Sequence, residues 1–109
     1  HGTSTPLNDA AEAEALSKLF GDNGPPVTST KGITGHALGA AGAIEATAVL
    51  LSFIHKQIPP TSGFTTPDPE MAEFNLVAGS PQDWEPGPSM SNSFGFGGHN
   101  GSIVLAPTE

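Results

Sequence analysis

The 109-residue chain contains no cysteine and no arginine, and each absence excludes classes of function. Without cysteine, the chain has no disulfide, no thiolate metal site and no cysteine nucleophile. Three lysines against 11 acidic residues give a formal net charge of −8, whereas nucleic-acid phosphates and anionic membrane surfaces require cationic partners. We therefore expect neither a nucleic acid nor a membrane as a partner.

Hydrophobic residues make up only 36% of the chain and aromatic residues 6%, whereas 14 glycines and 11 prolines are present. So much glycine and proline can indicate disorder, but the apolar residues here are clustered and periodic. We therefore expect one small ordered domain with many tight turns. The sequence also lacks the pattern of a signal peptide, which favours a cytoplasmic location.

Periodicity predicts two helices and several short strands. The expected helices are 9–20 and about 35–55, and the expected strands are 27–30, 74–77, 89–93 and 102–105, the last two joined by a glycine-rich link, 95–101. The second helix is apolar nearly all round, which is typical of a helix that is covered on every side. The pattern indicates an α/β or α+β fold.

The longest apolar run, Ala37–Ile54, belongs to this second helix. Because it contains Glu45 and two glycines, Gly39 and Gly42, we interpret it as a buried core helix rather than a membrane span. An internal glycine costs a helix about 1 kcal/mol relative to alanine, so a close approach of another backbone is expected to compensate. A second copy of the same helix, packed beside the first, would provide that approach.

Lys31 and His36 stand close together in the sequence, just ahead of that helix. The helix dipole and the lysine both disfavour an imidazolium, so we expect a neutral His36. A neutral imidazole N–H is a suitable donor to a carbonyl oxygen or an enolate, which makes this pair a candidate for chemistry. A purely structural helix-capping histidine is the alternative.

Two further segments have the character of site loops. His1 opens the sequence HGTST, in which Thr3 and Thr5 offer hydroxyl groups beside the imidazole, and a simple polar loop is the alternative. The segment Phe94–Gly98 combines two phenylalanines with glycines, whose exposed N–H groups can bind an oxyanion. A hairpin loop with two core phenylalanines is the competing interpretation.

Metal and dinucleotide sites receive little support from the sequence. The four histidines show no metal-ligand spacing, so we expect no zinc site. The stretch 34–42 resembles the glycine-rich turn of nicotinamide-dependent dehydrogenases, but the second strand with an acidic residue for the ribose is missing. We therefore expect no dinucleotide cofactor.

Taken together, these blocks resemble the C-terminal part of the elongating β-ketoacyl-acyl-carrier-protein (ACP) synthases, which have the thiolase fold. The motifs that carry the resemblance follow the family's order and cover essentially the whole chain: His1–Pro6, Asp9 with Glu12, Thr30–Gly42, Ile58–Pro60 and Asn92–Gly98. The resemblance implies an α/β fold, the C-terminal part of a thiolase-like fold with a mixed sheet and a buried apolar helix. It also implies that residues 1–109 lack the N-terminal half of that domain and are inactive alone.

For function, the resemblance implies an acyltransferase. An acyl group on a cysteine of the family's N-terminal half is extended by malonyl-ACP in a decarboxylative Claisen condensation, which gives 3-oxoacyl-ACP in fatty acid biosynthesis. The expected partners are ACP, its malonyl and acyl thioesters, and a second copy in a homodimer. Phosphopantetheine arrives on ACP, and no other cofactor is expected. The alternatives are a polyketide ketosynthase, a cysteine-less partner subunit or decarboxylase, and a non-catalytic binding fragment.

The resemblance also implies roles for individual residues. His1 and His36 become the two catalytic histidines that donate hydrogen bonds to the malonyl thioester oxygen, and Lys31 sets the charge around His36. Glu12 becomes the acidic partner of Lys31, with Asp9 close by. The remaining assignments are an oxyanion-hole N–H from Phe96, a gate at Phe94, and phosphopantetheine contacts at Thr3 and Thr5.

Overall fold

Short helices and strands alternate along residues 1–108, the part of the chain that the computed structural model describes. The helices are α1 (Pro6–Phe20), α2 (Lys31–Thr34) and α3 (Ala41–His55), and the strands are β1 (Gln57–Ile58), β2 (Gln82–Asp83), β3 (Ser89–Gly95) and β4 (His99–Leu105). Single 3₁₀ turns occupy Gly21–Asn23, Leu38–Ala40 and Phe96–Gly98. Both predicted helices are present, with the short helix α2 between them.

Helix α1 begins at Pro6, earlier than Asp9, where the sequence pattern places its start. Proline suits the first turn because its missing N–H would have no helical partner there and its φ is already helical. The helix ends at Gly21, which has a φ of 63° and donates its N–H to the carbonyl of Ser17. Because α1 starts directly after Thr5, the loop 1–5 is short and tied to the first turn of the helix.

Helix α3 begins at Ala41, whereas the sequence pattern places its start at residue 35 or 36. Positive φ angles at Gly35 (69°) and Leu38 (51°) interrupt helical geometry, and a 3₁₀ turn leads into the helix. The predicted start was therefore wrong. His36 lies in the link between α2 and α3 rather than at a helix N-terminus.

Most of the apolar surface of α3 has no cover within residues 1–108. Ala41 is the one residue of this helix that is buried. Leu50, Leu51 and Ile54 are 48%, 49% and 73% exposed. The stretch Leu38–His55 has the length and apolar composition of a membrane span, a property that the core helices of soluble proteins share. The burial predicted for this helix is not reached within the chain itself.

Strands β3 and β4 form an antiparallel hairpin whose register runs from Ser89 opposite Leu105 to Gly95 opposite His99. This arrangement confirms the predicted pairing. Both strands extend into the expected glycine-rich link, so the turn shrinks to three residues, with Gly97 at a φ of 77°. A glycine is needed there because residues with a β-carbon seldom adopt a positive φ.

Helix α3 packs against β3, and Gly42 lies at the place where the two elements approach each other. A β-carbon at Gly42 would stand 3.8 Å from the Oγ of Ser93. Within the described residues, the element that approaches this helix glycine is thus a strand rather than a second helix. The contact brings the link before α3 close to the end of β3.

The strands predicted at 27–30 and 74–77 are reduced to a single parallel bridge between Val27 and Leu76. Two backbone hydrogen bonds of 2.8 Å flank this bridge. Pairing cannot continue upstream because the residues before Val27 are prolines, which have no N–H, and soon afterwards the chain turns into α2. The two segments still meet in parallel, as part of a mixed arrangement of strands.

The buried hydrophobic core of the described residues is small and consists of Ala13, Ala41, Ile58 and Val77. Lys31 is buried as well, with 9% of its surface exposed. Charged side chains are almost never buried without partners, so the surroundings of Lys31 are the natural place to look for a site.

Candidate active site

Three residues that are distant in the sequence meet at one corner of the molecule. The ring centroids of His1 and His36 are 5.5 Å apart, and the rings are almost perpendicular, at 87°. The ring of Phe94 lies 5.5 Å from that of His1. His1 comes from the N-terminal loop, His36 from the link between α2 and α3, and Phe94 from β3. The fold therefore brings together the two histidines and the gate residue that the sequence analysis singled out.

Both histidines are held in the same tautomer by a backbone hydrogen bond. The Phe94 N–H donates to Nδ1 of His1 at 3.4 Å, and the Leu38 N–H donates to Nδ1 of His36 at 3.3 Å. An accepting ring nitrogen carries no proton, so these contacts assign the proton of each neutral ring to Nε2. Two neutral imidazoles with Nε2–H donors are suited to bind one carbonyl oxygen or oxyanion.

The backbone of His1 is fixed on both sides of its α-carbon. Its main-chain nitrogen lies 3.1 and 3.0 Å from the two carboxylate oxygens of Glu12, within hydrogen-bond distance. Its carbonyl accepts a hydrogen bond from Nζ of Lys31 at 2.6 Å. Glu12 and Lys31, which lie in α1 and α2, thus place the first residue of the site.

The next residue, Gly2, lies where a side chain would be strained. Its φ is 65°, and a β-carbon there would stand 2.3 Å from the Oγ of Ser29. The Ser29 hydroxyl donates to the Gly2 carbonyl at 3.3 Å, and the Lys31 N–H donates to the same hydroxyl oxygen at 3.4 Å. Ser29 therefore joins the N-terminal loop to the start of α2.

Lys31 contacts His1 and Glu45 rather than His36. Its Nζ donates to the His1 carbonyl and forms an ion pair with the carboxylate of Glu45 on α3. The carboxylate beside Lys31 is therefore not Glu12, which lies against the His1 nitrogen. Sequence reasoning did not assign Glu45 to the site, although a single acidic residue inside an apolar helix was a signal that could have identified it.

The two threonines of the N-terminal loop are held by hydrogen bonds. Thr3 and Thr5 hydrogen-bond each other through their hydroxyls at 2.8 Å. Asn8, which the sequence analysis did not assign to the site, accepts the Thr3 N–H at 3.2 Å and donates to Glu12 at 3.3 Å. Asp9 belongs to the first turn of α1, where its N–H donates to the carbonyl of Thr5. The polar side chains of this loop therefore form one connected network beside His1.

The two phenylalanines of the glycine-rich segment do not belong to a core. Phe94 is 37% exposed and contacts the His1 ring, and Phe96 is fully exposed in the turn between β3 and β4. The hairpin of the competing interpretation is present, but neither phenylalanine is part of the buried core of residues 1–108. Phe96 stands next to the site along the chain, but its side chain makes no aromatic contact within residues 1–108.

The two histidines of the site differ in exposure. Two clefts, with volumes of about 440 and 390 Å³, lie elsewhere, around Trp84 and around Met71. No cluster of three or more acidic, histidine or cysteine side chains that could hold a metal ion occurs in residues 1–108. The side chain of His1 is 11% exposed, whereas His36 is exposed, so the site is open to solvent on the side of His36.

Comparison with known proteins identifies the family. The β-ketoacyl synthase, C-terminal domain, family matches residues 1–65. The 3-oxoacyl-[acyl-carrier-protein] synthase 2 of Coxiella burnetii is 45% identical over 108 residues, which are 97% of this chain and 26% of that protein. The synthase 2 of Staphylococcus aureus strain COL is 44% identical over 111 residues, 100% of this chain and 27% of that protein.

Solved structures agree with this assignment. A β-ketoacyl synthase from Burkholderia phymatum superimposes with a TM-score of 0.93 at 36% identity, over 100% of this chain and 26% of that one. The ishigamide ketosynthase/chain length factor superimposes with a TM-score of 0.92 at 32% identity, over 100% of this chain and 27% of that one. The predicted α/β fold class, the C-terminal part of a thiolase-like fold, is confirmed. The chain spans about a quarter of the length of the curated relatives it matches, and it belongs to the β-ketoacyl synthase family.

Proposed function

We propose that residues 1–109 are the C-terminal part of the catalytic domain of a 3-oxoacyl-ACP synthase and supply the two-histidine half of its active site. The observation that carries this proposal is the pair of perpendicular imidazoles, His1 and His36, both with the proton on Nε2. The names of the curated relatives support the reaction class. We call the longer polypeptide that would contain this chain the complete enzyme.

The reaction follows from what two such donors can do. The malonyl thioester oxygen accepts hydrogen bonds from both Nε2–H groups. When the carbon–carbon bond to the malonyl carboxylate breaks, carbon dioxide leaves. The electron pair of that bond stays with the malonyl group and forms an enolate, whose oxygen the two N–H donors stabilise. The enolate carbon then attacks the acyl thioester on the nucleophile, the carbon–sulfur bond breaks, and the thiolate leaves. The products are 3-oxoacyl-ACP and carbon dioxide.

The nucleophile in this scheme comes from outside the chain, which has no cysteine. The exposed side of the site, at His36, fits a site whose second wall belongs to another segment. The backbone N–H of Phe96 serves as an oxyanion donor toward that wall, and the ring of Phe94 acts as a gate beside His1. The hydroxyls of Thr3 and Thr5 bind the phosphopantetheine arm that carries the malonyl group.

The proposed partners are ACP and its malonyl and acyl thioesters, with a second copy of the complete enzyme in a homodimer and a cytoplasmic location. No metal or small cofactor takes part in the scheme. A polyketide ketosynthase is the second candidate, because two similar structures are the ishigamide ketosynthase/chain length factor and a ketosynthase from the bacillaene synthase. Their identities of 32% and 34% are lower than the 45% of the Coxiella protein, which favours the fatty acid enzyme.

The test is the release of carbon dioxide from malonyl-ACP and the formation of 3-oxoacyl-ACP by the complete enzyme. Because one donor to a developing oxyanion is worth a factor of about 100 or more in kcat, His1→Ala and His36→Ala should each lower both rates by at least that factor. His55→Ala, at the far end of α3, is the matched control and should leave both rates unchanged. The proposal fails if either site variant keeps wild-type rates. Residues 1–109 alone should form no product.

A further inference from the structure

We propose that Glu45 is a positioning residue of the site, which fixes His1 by holding Lys31. The proposal extends the function proposed above, on which it rests for its kinetic readout. Glu45 lies on α3, and its carboxylate pairs with Lys31 rather than with either histidine ring. It acts through a relay of contacts from its carboxylate to Lys31 Nζ and from there to the His1 carbonyl.

The relay is buried along its length. The side chain of Lys31 is 6% exposed and that of Glu45 is 13% exposed, so water screens the ion pair little. A lysine ammonium in such a place needs a carboxylate, because a single neutral carbonyl does not balance the loss of hydration. Without Glu45, the ammonium would therefore move toward solvent. That movement releases the His1 carbonyl.

Helix α3 is the rigid member of this relay. His1 belongs to a loop, and Lys31 belongs to a helix of only four residues. α3 has 15 residues and packs against β3, the strand that delivers Phe94 to the His1 ring. A site residue held from a helix is placed more precisely than one held from a loop. Through Glu45, the helix thus sets the position of the loop histidine.

The two oxygens of Glu45 have different surroundings, which makes glutamine an informative replacement. Lys31 binds Oε1, whereas Oε2 is buried and has no hydrogen-bond partner within residues 1–108. In Glu45→Gln the amide oxygen can still accept from Lys31, but the charge is gone. In Glu45→Ala both the acceptor and the charge are gone. The proposal therefore predicts a graded series, with the alanine variant affected more than the glutamine variant.

The matched control is Glu14→Gln. Glu14 also pairs with a lysine, Lys18, at 2.6 Å, but this pair is exposed on α1, with 75% and 62% of its side chains accessible. The substitution makes the same chemical change at a surface pair, which is worth little. Its rates should remain within twofold of wild type.

The experiment measures malonyl-ACP decarboxylation by the complete enzyme and the ¹⁵N resonances of His1. A misplacement of about 1 Å can cost 100-fold in rate, so Glu45→Ala should lower kcat roughly 10- to 100-fold with KM within threefold. The acylation of the nucleophile, which needs no enolate, should stay unchanged. The His1 ring resonances should shift, while those of His55 should not. Unshifted His1 resonances, or a kcat within twofold of wild type, would overturn the proposal.

A double variant separates positioning from general stabilisation. In Lys31→Met with Glu45→Met, no charge is buried, so the melting temperature should stay at or above that of Glu45→Ala. The His1 carbonyl still lacks its donor, so kcat should stay low. Recovery of kcat together with the melting temperature would show a merely structural role. The His1 resonances report the relay even if the proposed reaction is wrong, so failure of one proposal is distinguishable from failure of the other.

Discussion

Two regions of the chain differ in how many of their groups have partners within the chain itself. The polar corner consists of His1, Lys31, His36, Glu45 and Phe94, and its groups are joined by hydrogen bonds, an ion pair and ring contacts. The apolar flank consists of Leu50, Leu51 and Ile54 on α3 together with Met90 and Val104 on the hairpin, and these side chains are 48–73% exposed. The corner is assembled, whereas the flank has no cover among the described residues.

The difference teaches which part of the molecule depends on other segments. Burial of apolar surface is worth about 25 cal/mol per Å², and the core of four buried hydrophobic residues provides little of it. We therefore expect the flank to be the surface through which the chain gains stability in the complete enzyme. For the corner, we expect another segment to add only a wall opposite the two histidines, because hydrogen bonds within the chain already hold both rings.

The largest expected effect comes from breaking the corner at Lys31. Lys31→Ala removes the donor to the His1 carbonyl and leaves the Glu45 carboxylate buried without its cation. Because an uncompensated buried charge costs about 3–5 kcal/mol, the free energy of unfolding of the complete enzyme should fall by that amount. Decarboxylation should slow at least 100-fold in the protein that stays folded. Denaturant unfolding and malonyl-ACP turnover measure the two effects, and a rate near that of wild type would contradict the role of Lys31.

The next largest effect should come from the flank. Leu51→Glu places a carboxylate where we expect another segment to pack, so it should lower the free energy of unfolding of the complete enzyme by about 3 kcal/mol. In residues 1–109 alone, the same change should reduce self-association, because Leu51 is 49% exposed there. Chemical denaturation and sedimentation velocity test the two outcomes. An unchanged stability of the complete enzyme would show that the flank stays uncovered.

A smaller effect is expected at Gly2, within the corner. Gly2→Ala adds a β-carbon 2.3 Å from the Oγ of Ser29 at a φ of 65°, so the loop must shift. We expect a loss of about 1–3 kcal/mol in the free energy of unfolding and a roughly tenfold lower kcat. Gly79→Ala is a control for the conformational cost alone, since Gly79 also has a positive φ but open space around it. Equal kcat values for the two variants would show that the Ser29 contact does not place His1.

The smallest effect lies outside both regions, at the exposed pair on α1. The hydrogen bond and the charge of Lys18 hold the pKa of Glu14 below its ordinary value of 4.5. Because the folded-state pKa is lowered, the pair stabilises the fold above pH 4.5, and this contribution disappears as the pH falls through the folded-state pKa. Lys18→Gln should raise the Glu14 pKa toward 4.5 in an NMR titration and leave turnover unchanged. A turnover loss would mean that surface charge, rather than the buried relay, controls the site.

Sequence reasoning found four of the five residues of the corner, and Glu45 was missed. The motifs that carry the family resemblance identified His1, His36 and Phe94 as residues of one site. The partner of Lys31 could not be found in the same way, since the contact with Glu45 depends on how α3 packs. The start of α3 was also missed, because apolar periodicity continues through Leu38, where a positive φ interrupts the helix.

The pairing of β3 with β4 was predictable because a short glycine-rich turn joins two alternating segments. The strand predicted at 27–30 is not formed, because a short β-branched run indicates a buried strand only when neighbours exist on both sides. Val27 has one partner, Leu76, within the described residues. The predicted burial of α3 is not reached for the same reason. A sequence pattern indicates which residues the complete fold covers, not which residues the chain covers by itself.

The most direct test of the central claim uses the two imidazoles themselves. Histidine-labelled complete enzyme at neutral pH should show, for both His1 and His36, a protonated Nε2 and an unprotonated Nδ1 in a long-range ¹H–¹⁵N correlation spectrum. Addition of a malonyl thioester analogue that cannot lose carbon dioxide should shift both Nε2–H resonances. A proton on Nδ1 of either ring, or an analogue that binds without moving either Nε2–H resonance, would contradict the account.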